Sequence, residues 1–423
     1  MSTVVEEIAE ALQKCNKCGL CLAGCPVYKA TGVEWTSARG RIALLRSALL
    51  DHRLELDALD DPIFNCLTCN GCTEHCPPAV PTGEIIFKAR EEMLKRQGDS
   101  WLGRLVFHKL LASPSQLHQA SKLLRLAEVT GLRPLARKTG LTRLFGDAGK
   151  AEAIVPKIPP SQGLEAVKRL AGKINNPKYK VAYFTGCHAP NLAPKVAAAT
   201  VRILHRHQAE VTVPDFVCCG LPAAGYGDGP SARSLARRNI EIAASLSVDA
   251  IVTACASCSS FLKDYAKLLE NDPEWSERAR DFAAKVKDLS EILTDIGLVT
   301  EMGTIKKKVT YHDPCHLAHH QKIKEPPRTI LRSIPGVEFI ELPEADVCCG
   351  AAGSYAFKNY DISMQVLKRK MGNVEKTGAD ILVSCCPACV MQLACGVRQE
   401  KLPVRVTEMV ELLDEAYRKA KEG

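Results

Sequence analysis

Cysteine is the residue whose number and spacing could do chemistry in this chain. Of its 423 residues, 20 are cysteines, and thiolates at fixed spacings bind metals, hold redox clusters or close disulfides. Residues 1–15 are acidic and amphipathic and lack the basic and apolar regions of a secretion signal, so a secreted disulfide scaffold is not expected. The cysteines therefore predict metal or redox chemistry.

The first eight cysteines form two copies of one motif. Each copy has the spacing C-x2-C-x2-C-x3-C and is followed by a proline. Three thiolates at such short spacings can wrap one face of an iron-sulfur cube, and the fourth crosses to the other cluster. The motifs therefore predict two [4Fe-4S] clusters. One is assigned to Cys15, Cys18, Cys21 and Cys76, and the other to Cys66, Cys69, Cys72 and Cys25.

Two zinc sites are the alternative for these eight thiols. Zinc ribbons favour paired C-x-x-C knuckles, whereas each motif here places four cysteines in eleven residues and closes with proline. Two iron-sulfur clusters held close together make an electron wire, which needs no substrate pocket. Clusters with a purely structural role are the second alternative.

The remaining twelve cysteines lie in an internal repeat between Cys187 and Cys395. VAYFTGCH aligns with VTYHDPCH, FVCCGLPAAG with DVCCGAAGSY, and DAIVTACASC with DILVSCCPAC, at offsets of 128 to 131 residues. Gly220 and Gly350 allow a tight turn after each Cys-Cys pair, so that both sulfurs can face one site. Each copy thus predicts a five-cysteine metal site, with ordinary buried core cysteines as the alternative. The two sets are Cys187, Cys218, Cys219, Cys255 and Cys258, then Cys315, Cys348, Cys349, Cys386 and Cys389.

Four residues beside these sets are open to more than one interpretation. His188 and His316 follow the first cysteine of each copy, where they could bind metal, donate a hydrogen bond to a sulfur or serve a structural role. Cys385 and Cys395 have no counterpart in the first copy. We expect them to be core thiols, with redox chemistry as the alternative.

The elements that must position the repeated cysteines alternate between strands and helices. Each copy indicates a strand, a helix, a strand, the Cys-Cys-Gly turn, a helix, a strand ending at C-x-x-C and a last helix. This order predicts parallel βαβ layers with the cysteines at the carboxyl ends of strands. In the N-terminal part, Ile8 and Leu12, and further on Ile42, Leu45 and Leu49, are spaced as helix faces, so short helices flank the cysteine loops.

The predicted fold class is therefore α/β with an N-terminal, mainly α-helical ferredoxin domain and two repeated βαβ-type modules, named CCG modules after their turn. The predicted domains are a helical di-cluster domain at 1–98, a basic helical segment and linker at 99–175, and CCG modules at 176–300 and 301–423.

Positive charge is concentrated in one stretch. The chain has 56 Lys and Arg against 48 Asp and Glu, and residues 88–150 alone have 13 against 5, which accounts for the whole net charge of +8. Arg133, Arg137 and Lys138 are among these cations. The stretch predicts docking to an acidic partner or an anionic membrane surface, with a solvated helix face as the alternative. No nucleic-acid motif is present and aromatics are few, so nucleic acid is not an expected partner.

Several common signals are missing. The apolar runs are far shorter than the ~20 residues of a bilayer span, so the chain is expected to be cytoplasmic or peripheral on the inner face of the membrane. No G-x-G-x-x-G follows a strand, and no P-loop or serine triad is detectable. Flavin or nicotinamide is therefore not expected on this chain, hydride chemistry is expected on another subunit, and no residue is singled out as catalytic.

Tandem ferredoxin motifs followed by two CCG modules resemble the iron-sulfur subunits of glycolate oxidase and of related FAD-linked lactate dehydrogenases. They are also similar to the D subunit of heterodisulfide reductase. The resemblance runs from Cys15 to the C-terminal helix, and SARGRI, CLTC and CCGAAGSYA favour the glycolate oxidase branch. Both modules keep the complete C-x-x-C, which some glycolate oxidase subunits lack, and this raises the heterodisulfide alternative.

The resemblance implies an oxidoreductase component that does not oxidise the hydroxy acid itself. In that family a separate FAD subunit takes hydride from C2 of glycolate or lactate, and the iron-sulfur subunit relays single electrons to a quinone, cytochrome or soluble carrier. In heterodisulfide reductases the CCG cysteines hold non-cubane [4Fe-4S] clusters at which a disulfide is cleaved. By similarity, each five-cysteine set here would hold one such cluster, and the alternative function is reduction of a disulfide at it.

Overall fold

Two parallel four-stranded sheets follow a helical N-terminal part in this chain. The computed structural model describes residues 3–98, 101–160, 163–353 and 355–420. The α/β class is confirmed, with most of the described residues in helices. The expected boundary between the first two domains falls between residues 98 and 99, and residues 99 and 100 lie outside the described ranges.

Short helices surround the cysteine motifs in the N-terminal part. The helices α1 to α7 span Thr3–Gln13, Cys21–Gly24, Pro26–Thr31, Ala38–Leu49, Asp60–Phe64, Gly71–Glu74 and Thr82–Gln97, with 3₁₀ turns at Glu34–Thr36 and Leu56–Leu59. Helices α1, α4 and α7 pack together. The predicted helix faces supply their core, since Ile8, Leu12, Ile42, Leu45 and Leu49 are all buried.

Helices α2 and α6, one from each cysteine motif, cross with their backbones in contact. A Cβ atom on Gly24 would lie 2.4 Å from the carbonyl oxygen of Gly71, and one on Gly71 would lie 2.8 Å from the carbonyl oxygen of Gly24. Both distances are too short for a side chain. Glycine at both positions therefore lets the two motifs approach as closely as two backbones can.

The linker segment between the two parts is helical. It comprises α8 (Trp101–Arg104), a π-helix (Leu105–Leu110), α9 (Pro114–Val129), α10 (Leu132–Thr139), a 3₁₀ turn (Leu141–Phe145), α11 (Gly146–Ala151), a second 3₁₀ turn (Glu152–Ile154) and α12 (Leu164–Leu170). Buried Arg133 holds it together, because its guanidinium pairs with Glu128 and Glu152 and donates to the carbonyls of Val155 and Pro156 at 3.0 Å each. Arg133 is thus an internal brace and not a surface cation.

The first CCG module contains one of the two sheets, in the strand order β2-β1-β3-β4. Its strands β1 to β4 are Tyr179–Tyr183, Ala209–Thr212, Ala250–Thr253 and Val286–Asp288. Its helices α13 to α20 are Ala189–Leu192, Pro194–Arg206, Leu221–Tyr226, Gly229–Ala244, Ala256–Lys263, Tyr265–Leu268, Ser276–Lys285 and Leu289–Asp295. Strand β3 is buried along its whole length, which explains its continuous apolar sequence.

The second CCG module has the same strand arrangement, β6-β5-β7-β8. Strands β5 to β8 are Lys307–Tyr311, Val337–Ile340, Ile381–Ser384 and Arg405–Glu408. Helices α21 to α26 are Cys315–Ala318, Glu325–Ser333, Tyr355–Lys358, Tyr360–Thr377, Pro387–Gln399 and Met409–Lys419. The modules share one apolar core, and Arg202 on α14 donates two hydrogen bonds, of 2.8 and 2.7 Å, to Asp414 on α26.

The fourth strand of each sheet is absent from the sequence prediction. Strand β4 has only three residues, and β8 carries an arginine at its first position and a glutamate at its last. Both are edge strands that pair with a single neighbour, β3 or β7. Short, polar edge strands give little apolar periodicity, so the pattern did not reveal them.

Buried Arg90 on α7 joins the N-terminal part to the first module. Its guanidinium donates to the carbonyls of Ile63 (2.9 Å), Cys66 (2.6 Å) and Gly225 (2.8 Å). We expect Arg90→Met to lower the free energy of unfolding by about 3 kcal/mol, because three buried carbonyl oxygens lose a charged donor. The shift of the thermal unfolding midpoint, followed by circular dichroism under anaerobic conditions, measures the loss.

Lys95→Met on the same helix is the control for this prediction. Lys95 is exposed near the end of the helix, and substitutions at such positions usually change the free energy of unfolding by no more than about 0.5 kcal/mol. Equal midpoints for the Arg90 and Lys95 variants would show that the junction does not depend on Arg90.

Candidate metal centres

The thiols expected to share the first cluster line one small cavity in the N-terminal part. Cys15 and Cys18 lie in the loop after α1, Cys21 begins α2 and Cys76 follows α6. All four face this cavity, together with Cys72. Cys21 interacts electrostatically with Cys15 and Cys76, and burial raises the pKa of its thiol.

A second cavity is lined by the thiols expected at the other cluster: Cys25, Cys66, Cys69 and Cys72. Cys25 precedes α3 and lines this cavity as the one cysteine of the first motif among the four. Burial, with the neighbouring Cys66 and Cys25, raises the pKa of Cys72 to about 12. Because Cys72 lines both cavities, the two sites are adjacent.

In the first CCG module, the five predicted cysteines form a row at the carboxyl edge of the sheet. Cys187 follows β1, Cys218 and Cys219 precede α15, and Cys255 follows β3. Gly220 has a φ of +97°, and this left-handed conformation turns the chain directly after the Cys-Cys pair. Hydrogen bonds between thiols link the row in the order Cys187, Cys218, Cys219, Cys258 and Cys255.

The second CCG module repeats this arrangement. Gly350 has a φ of +92° after the second Cys-Cys pair. Hydrogen bonds between thiols link the five cysteines in the order Cys315, Cys348, Cys349, Cys389 and Cys386. Hydrogen bonds that Cys349 accepts from Cys348 and Cys389 lower the pKa of its thiol.

The two rows meet at one thiol pair. Cys386 accepts hydrogen bonds from Cys255 and Cys389, and these lower its pKa. The hydroxyl of Ser257 lies 3.3 Å from the Cys386 sulfur. The backbone also joins here, because the N–H of Ala256 donates to the carbonyl of Cys385 at 2.9 Å. Ten thiols from residues up to 202 positions apart thus form one continuous row across both modules.

The N-terminal cavities adjoin this row at the end formed by the second module. Cys69 interacts electrostatically with Cys348 and Cys315, and burial raises the pKa of its thiol well above the usual value. The four sites predicted from the sequence therefore lie in series: the Cys15 site, the Cys69 site, the second module and the first module.

The two histidines and two cysteines whose roles the sequence left undecided have different surroundings in the structure. The sulfur of Cys315 lies 3.6 Å from Nδ1 of His316, whereas the ring nitrogens of His188 have no hydrogen-bond partner within the described ranges. Cys385 is buried with its sulfur 3.6 Å from that of Met409, and buried Cys395 packs against the linker near Ala153. Neither cysteine shares a thiol–thiol hydrogen bond with the row.

His312 is a candidate site residue that the sequence reasoning missed. A ring nitrogen of His312 and the sulfurs of Cys349 and Cys389 all lie within 4.8 Å of one another, and all three residues are buried. Burial lowers the pKa of His312 to about 3, so its imidazole is neutral. The repeat alignment held a signal for this, because His312 replaces Phe184 of the first copy.

The donor sets fit thiolate-bound iron. Eighteen thiols, most of them buried, lie in groups in which the pKa of several members is raised by burial and neighbouring sulfurs, as at Cys69 and Cys72. Such thiols stay protonated unless a cation stabilises the thiolates, and metal binding releases these protons. Sulfur-rich sites are those that iron-sulfur clusters and zinc prefer.

The linker segment covers the outer end of the first module's row. Leu111 and Leu117 line a small cavity together with Cys187 and Cys218, and the N–H of Cys218 donates to the carbonyl of Leu111 at 3.1 Å. His118 on α9 bonds to Asn191, 3.1 Å away. The inner face of the linker therefore packs over this end of the row.

The outer face of the linker is rich in apolar side chains, and no unpaired carboxylate lies among its described residues from 123 to 145. Nine of the sixteen exposed large apolar side chains within the described residues lie between positions 123 and 145. They are Leu123, Leu124, Leu126, Val129, Leu132, Leu135, Leu141, Leu144 and Phe145. Glu128, the one acidic residue of this stretch, pairs with Arg133. No helix in the described part of the chain is long and apolar enough to cross a membrane.

Comparison with family models identifies three kinds of segment. Residues 11–80 match the 4Fe-4S dicluster domain, and residues 181–263 and 309–394 match the cysteine-rich domain. Residues 98–155 match the linker region of the glycolate oxidase iron-sulfur subunit. Iron-sulfur binding and the presence of both domain types are therefore established.

Relatives matched over nearly the whole chain have related names. The chain is 34% identical over 420 residues to the probable glycolate oxidase iron-sulfur subunit of Bacillus subtilis, covering 96% of this chain and 94% of the relative. It is 28% identical to the glycolate oxidase iron-sulfur subunit of Escherichia coli, with 98% and 96% covered. It is 31% identical to a subunit of the fumarate reductase (CoM/CoB) of Methanothermobacter marburgensis, with 96% and 72% covered. The chain thus belongs to the family of glycolate oxidase iron-sulfur subunits and is an iron-sulfur component of an oxidoreductase.

Proposed function

We propose that this chain is the electron-transfer subunit of an FAD-linked 2-hydroxy-acid dehydrogenase complex that acts on glycolate or lactate. It relays single electrons from a partner flavin subunit to a quinone, a cytochrome or a soluble carrier. The observation that carries the proposal is the series of four thiol sites, which runs from the N-terminal cavities through both CCG modules. A series of this kind suits conduction, since each site adjoins the next and most of the thiols are buried.

The proposed ligand sets follow the sequence motifs. Cys15, Cys18, Cys21 and Cys76 hold one cubane [4Fe-4S] cluster, and Cys25, Cys66, Cys69 and Cys72 hold the second. The five-cysteine sets of the two modules each hold a non-cubane [4Fe-4S] cluster. The proposed domains are 1–98, 99–175, 176–300 and 301–423.

The chemistry that iron-sulfur clusters supply is uptake and release of one electron at a time. The residues of this chain fix where that chemistry takes place. Gly24 and Gly71 bring the two N-terminal sites together, Cys69 adjoins the second module, and the Cys255–Cys386 pair joins the modules. Leu111 and Leu117 partly cover the far end.

Anaerobic co-purification and reduction by the hydroxy acid test this function. We expect an FAD protein to co-purify, and glycolate or lactate to reduce the iron-sulfur centres only when that protein is present. Absence of any FAD partner, or reduction by the hydroxy acid without it, would contradict the proposal.

Catalytic reduction of a disulfide is not favoured as the function. The relatives from Bacillus and Escherichia are named as glycolate oxidase subunits, and the linker matches that family. Incubation of the reduced protein with small disulfides tests directly whether it reduces them. Thiol production at a catalytic rate would favour the disulfide alternative.

The outer face of the linker is the proposed attachment to an anionic membrane surface. Exposed leucines on α9 and α10 lie beside Lys122 and Lys138, and neither lysine pairs with a carboxylate among the residues described. Apolar side chains flanked by cations suit the boundary between lipid headgroups and acyl chains. Peripheral binding here would hold the first module's row near a membrane quinone.

Vesicle sedimentation tests this attachment. We expect Leu126→Glu combined with Leu135→Glu to weaken binding to phosphatidylglycerol-containing vesicles by at least about tenfold, because burial of each leucine contributes about 1.5–3 kcal/mol. Leu54→Glu, at an exposed leucine of the N-terminal part, should leave binding unchanged. Equal vesicle binding by the wild type, the double variant and the Leu54 variant would show that this face does not bind membranes, and a partner subunit would then be the expected occupant.

Replacing Arg133 or Arg137 by glutamate would not test whether the linker binds a membrane, because both arginines are paired inside the linker. Arg133 pairs with Glu128 and Glu152, and Arg137 pairs with Glu152 and donates to its carbonyl at 3.0 Å. Reversal at these positions would unfold the linker and weaken any association indirectly. The net charge of the stretch therefore overstates the cations available to a partner.

A further inference from the structure

The two CCG modules differ at one buried position beside their cysteines. Phe184 follows β1 in the first module, and His312 follows β5 in the second. Their backbones are held in the same way, since the N–H of Phe184 donates to Val252 at 2.8 Å and that of His312 donates to Val383 at 2.9 Å. The two side chains therefore leave equivalent points of equivalent sheets.

The ring of Phe184 in the first module packs entirely within the apolar core. Phe184 is fully buried, and its ring centroid lies 5.2 Å from that of Phe216 in the core of that module. Nothing about this position requires a polar side chain. A second module built only for packing would accept phenylalanine in the same place.

The imidazole in the second module makes no hydrogen bond of ordinary geometry within the described residues, and the Ala345 backbone is the one such group that interacts with it. His312 has 0% of its surface exposed, and neither ring nitrogen has a hydrogen-bond partner among the residues that the structure describes. Buried polar groups without a partner are rare in folded proteins and call for a ligand or an ion. The groups that His312 does approach are the sulfurs of Cys349 and Cys389, within 4.8 Å.

We propose that His312 is a nitrogen ligand to one iron of the second module's cluster, together with Cys349 and Cys389. This inference rests on the proposed function, in which each module holds a cluster. Imidazole and thiolate are both ordinary ligands of iron. The first module has Phe184 in the matching place and so offers no nitrogen ligand at this position.

Mixed ligation gives the two modules different redox properties. A neutral imidazole adds no negative charge to a cluster, whereas a thiolate does, and clusters with histidine ligands have higher reduction potentials than their all-cysteine counterparts. The second module lies between the Cys69 site and the first module. His312 therefore makes the cluster at this intermediate position easier to reduce than the same cluster would be with a cysteine at position 312.

Pulsed electron paramagnetic resonance on the full chain tests the ligation. The protein, grown with 15N-histidine or with natural histidine, is purified anaerobically and reduced in steps. We expect a strong nitrogen coupling that responds to the isotope, that disappears in His312→Phe and that persists in His316→Phe. His316 is the matched control because it is also buried and lies beside a cysteine of the same module.

His312→Cys keeps the test decisive if the phenylalanine variant loses its cluster. A thiolate at this position should retain the iron, abolish the nitrogen coupling and move the potential of one cluster to a more negative value. Strong coupling that survives in either His312 variant, or only the weak coupling typical of a hydrogen bond in the wild type, would overturn the ligation. A wild-type iron content of about 8 atoms per chain, that of the two cubanes alone, would instead show that the modules hold no clusters and that the proposed function itself fails.

Discussion

Replacing Cys69 by alanine is expected to disconnect the N-terminal sites from both CCG modules. Cys69 lines the second N-terminal cavity and is the thiol of that part that adjoins Cys315 and Cys348. Its loss should remove one cubane, about 4 of about 16 iron atoms per chain. Metal loss also costs stability, because binding free energy at such sites is folding free energy.

The kinetic consequence of Cys69→Ala is larger than the loss of iron. Sites held on one chain meet at an effective concentration on the order of millimolar. At micromolar protein, transfer between molecules should then be about a thousandfold slower than transfer within one. Stopped-flow reduction of the module centres by the reduced flavin partner measures this rate.

Cys385→Ala is the matched control for Cys69→Ala. Cys385 is also a buried cysteine, but it contacts Met409 and lies outside the thiol row. The control should keep all of its iron and its full rate of transfer. Full iron and an unchanged rate in Cys69→Ala itself would mean that the second N-terminal site uses other ligands.

Replacing Cys386 by alanine is expected to remove a ligand from the second module's cluster and to separate the first module from the N-terminal sites. Cys386 is the thiol of the second module that accepts a hydrogen bond from the first, at Cys255. The N-terminal clusters should remain intact and reducible in this variant. The first module should lose its connection and be reduced about a thousandfold more slowly at micromolar protein.

The two variants together test the order of the sites. Cys69→Ala should stop reduction of both modules. Cys386→Ala should leave reduction of the N-terminal centres normal and stop electron transfer to the first module. Freeze-quench electron paramagnetic resonance resolves the centres during reduction. A first module that is still reduced at the wild-type rate in Cys386→Ala would show that electrons enter it directly, and the series would then be wrong.

The cysteine sites could be predicted from the sequence to the extent that spacing along the chain determines geometry. The motif spacings assigned Cys76 and Cys25 to opposite sites, and these residues line the cavities to which they were assigned. Helix faces such as Ile8 and Leu12 could be predicted for a similar reason, since a period of 3.6 residues requires one buried side.

The relation between the modules could not be predicted in this way. A repeat in the sequence shows that two units share a fold, but it does not show which surfaces face each other. Cys255 and Cys386 are 131 residues apart and meet only because both modules pack through one core. The same limit applies to Arg133. The sequence places its charge in a basic stretch, but it does not show that Glu128 and Glu152 pair with this arginine inside the linker.

His312 marks a different limit of the sequence analysis. Alignment of the repeat for its cysteines drew attention to what the copies share, whereas the information lay in a position where they differ. A polar residue opposite a phenylalanine at the end of a buried strand either pays a desolvation cost or finds a ligand. Comparison of the copies for such departures would have identified this position.

The backbone contact between Gly24 and Gly71 would set the distance that an electron crosses between clusters held in the two N-terminal sites. The probability that an electron crosses between two centres falls exponentially with their separation, so each ångström added at that crossing lowers the rate by a constant factor. Any Cβ at either glycine would force the two helices apart, since it would lie 2.4 or 2.8 Å from the opposite carbonyl oxygen. Glycine at both positions thereby fixes the separation between the two N-terminal sites. Folding alone sets this separation, so no domain movement is required to bring the two sites together.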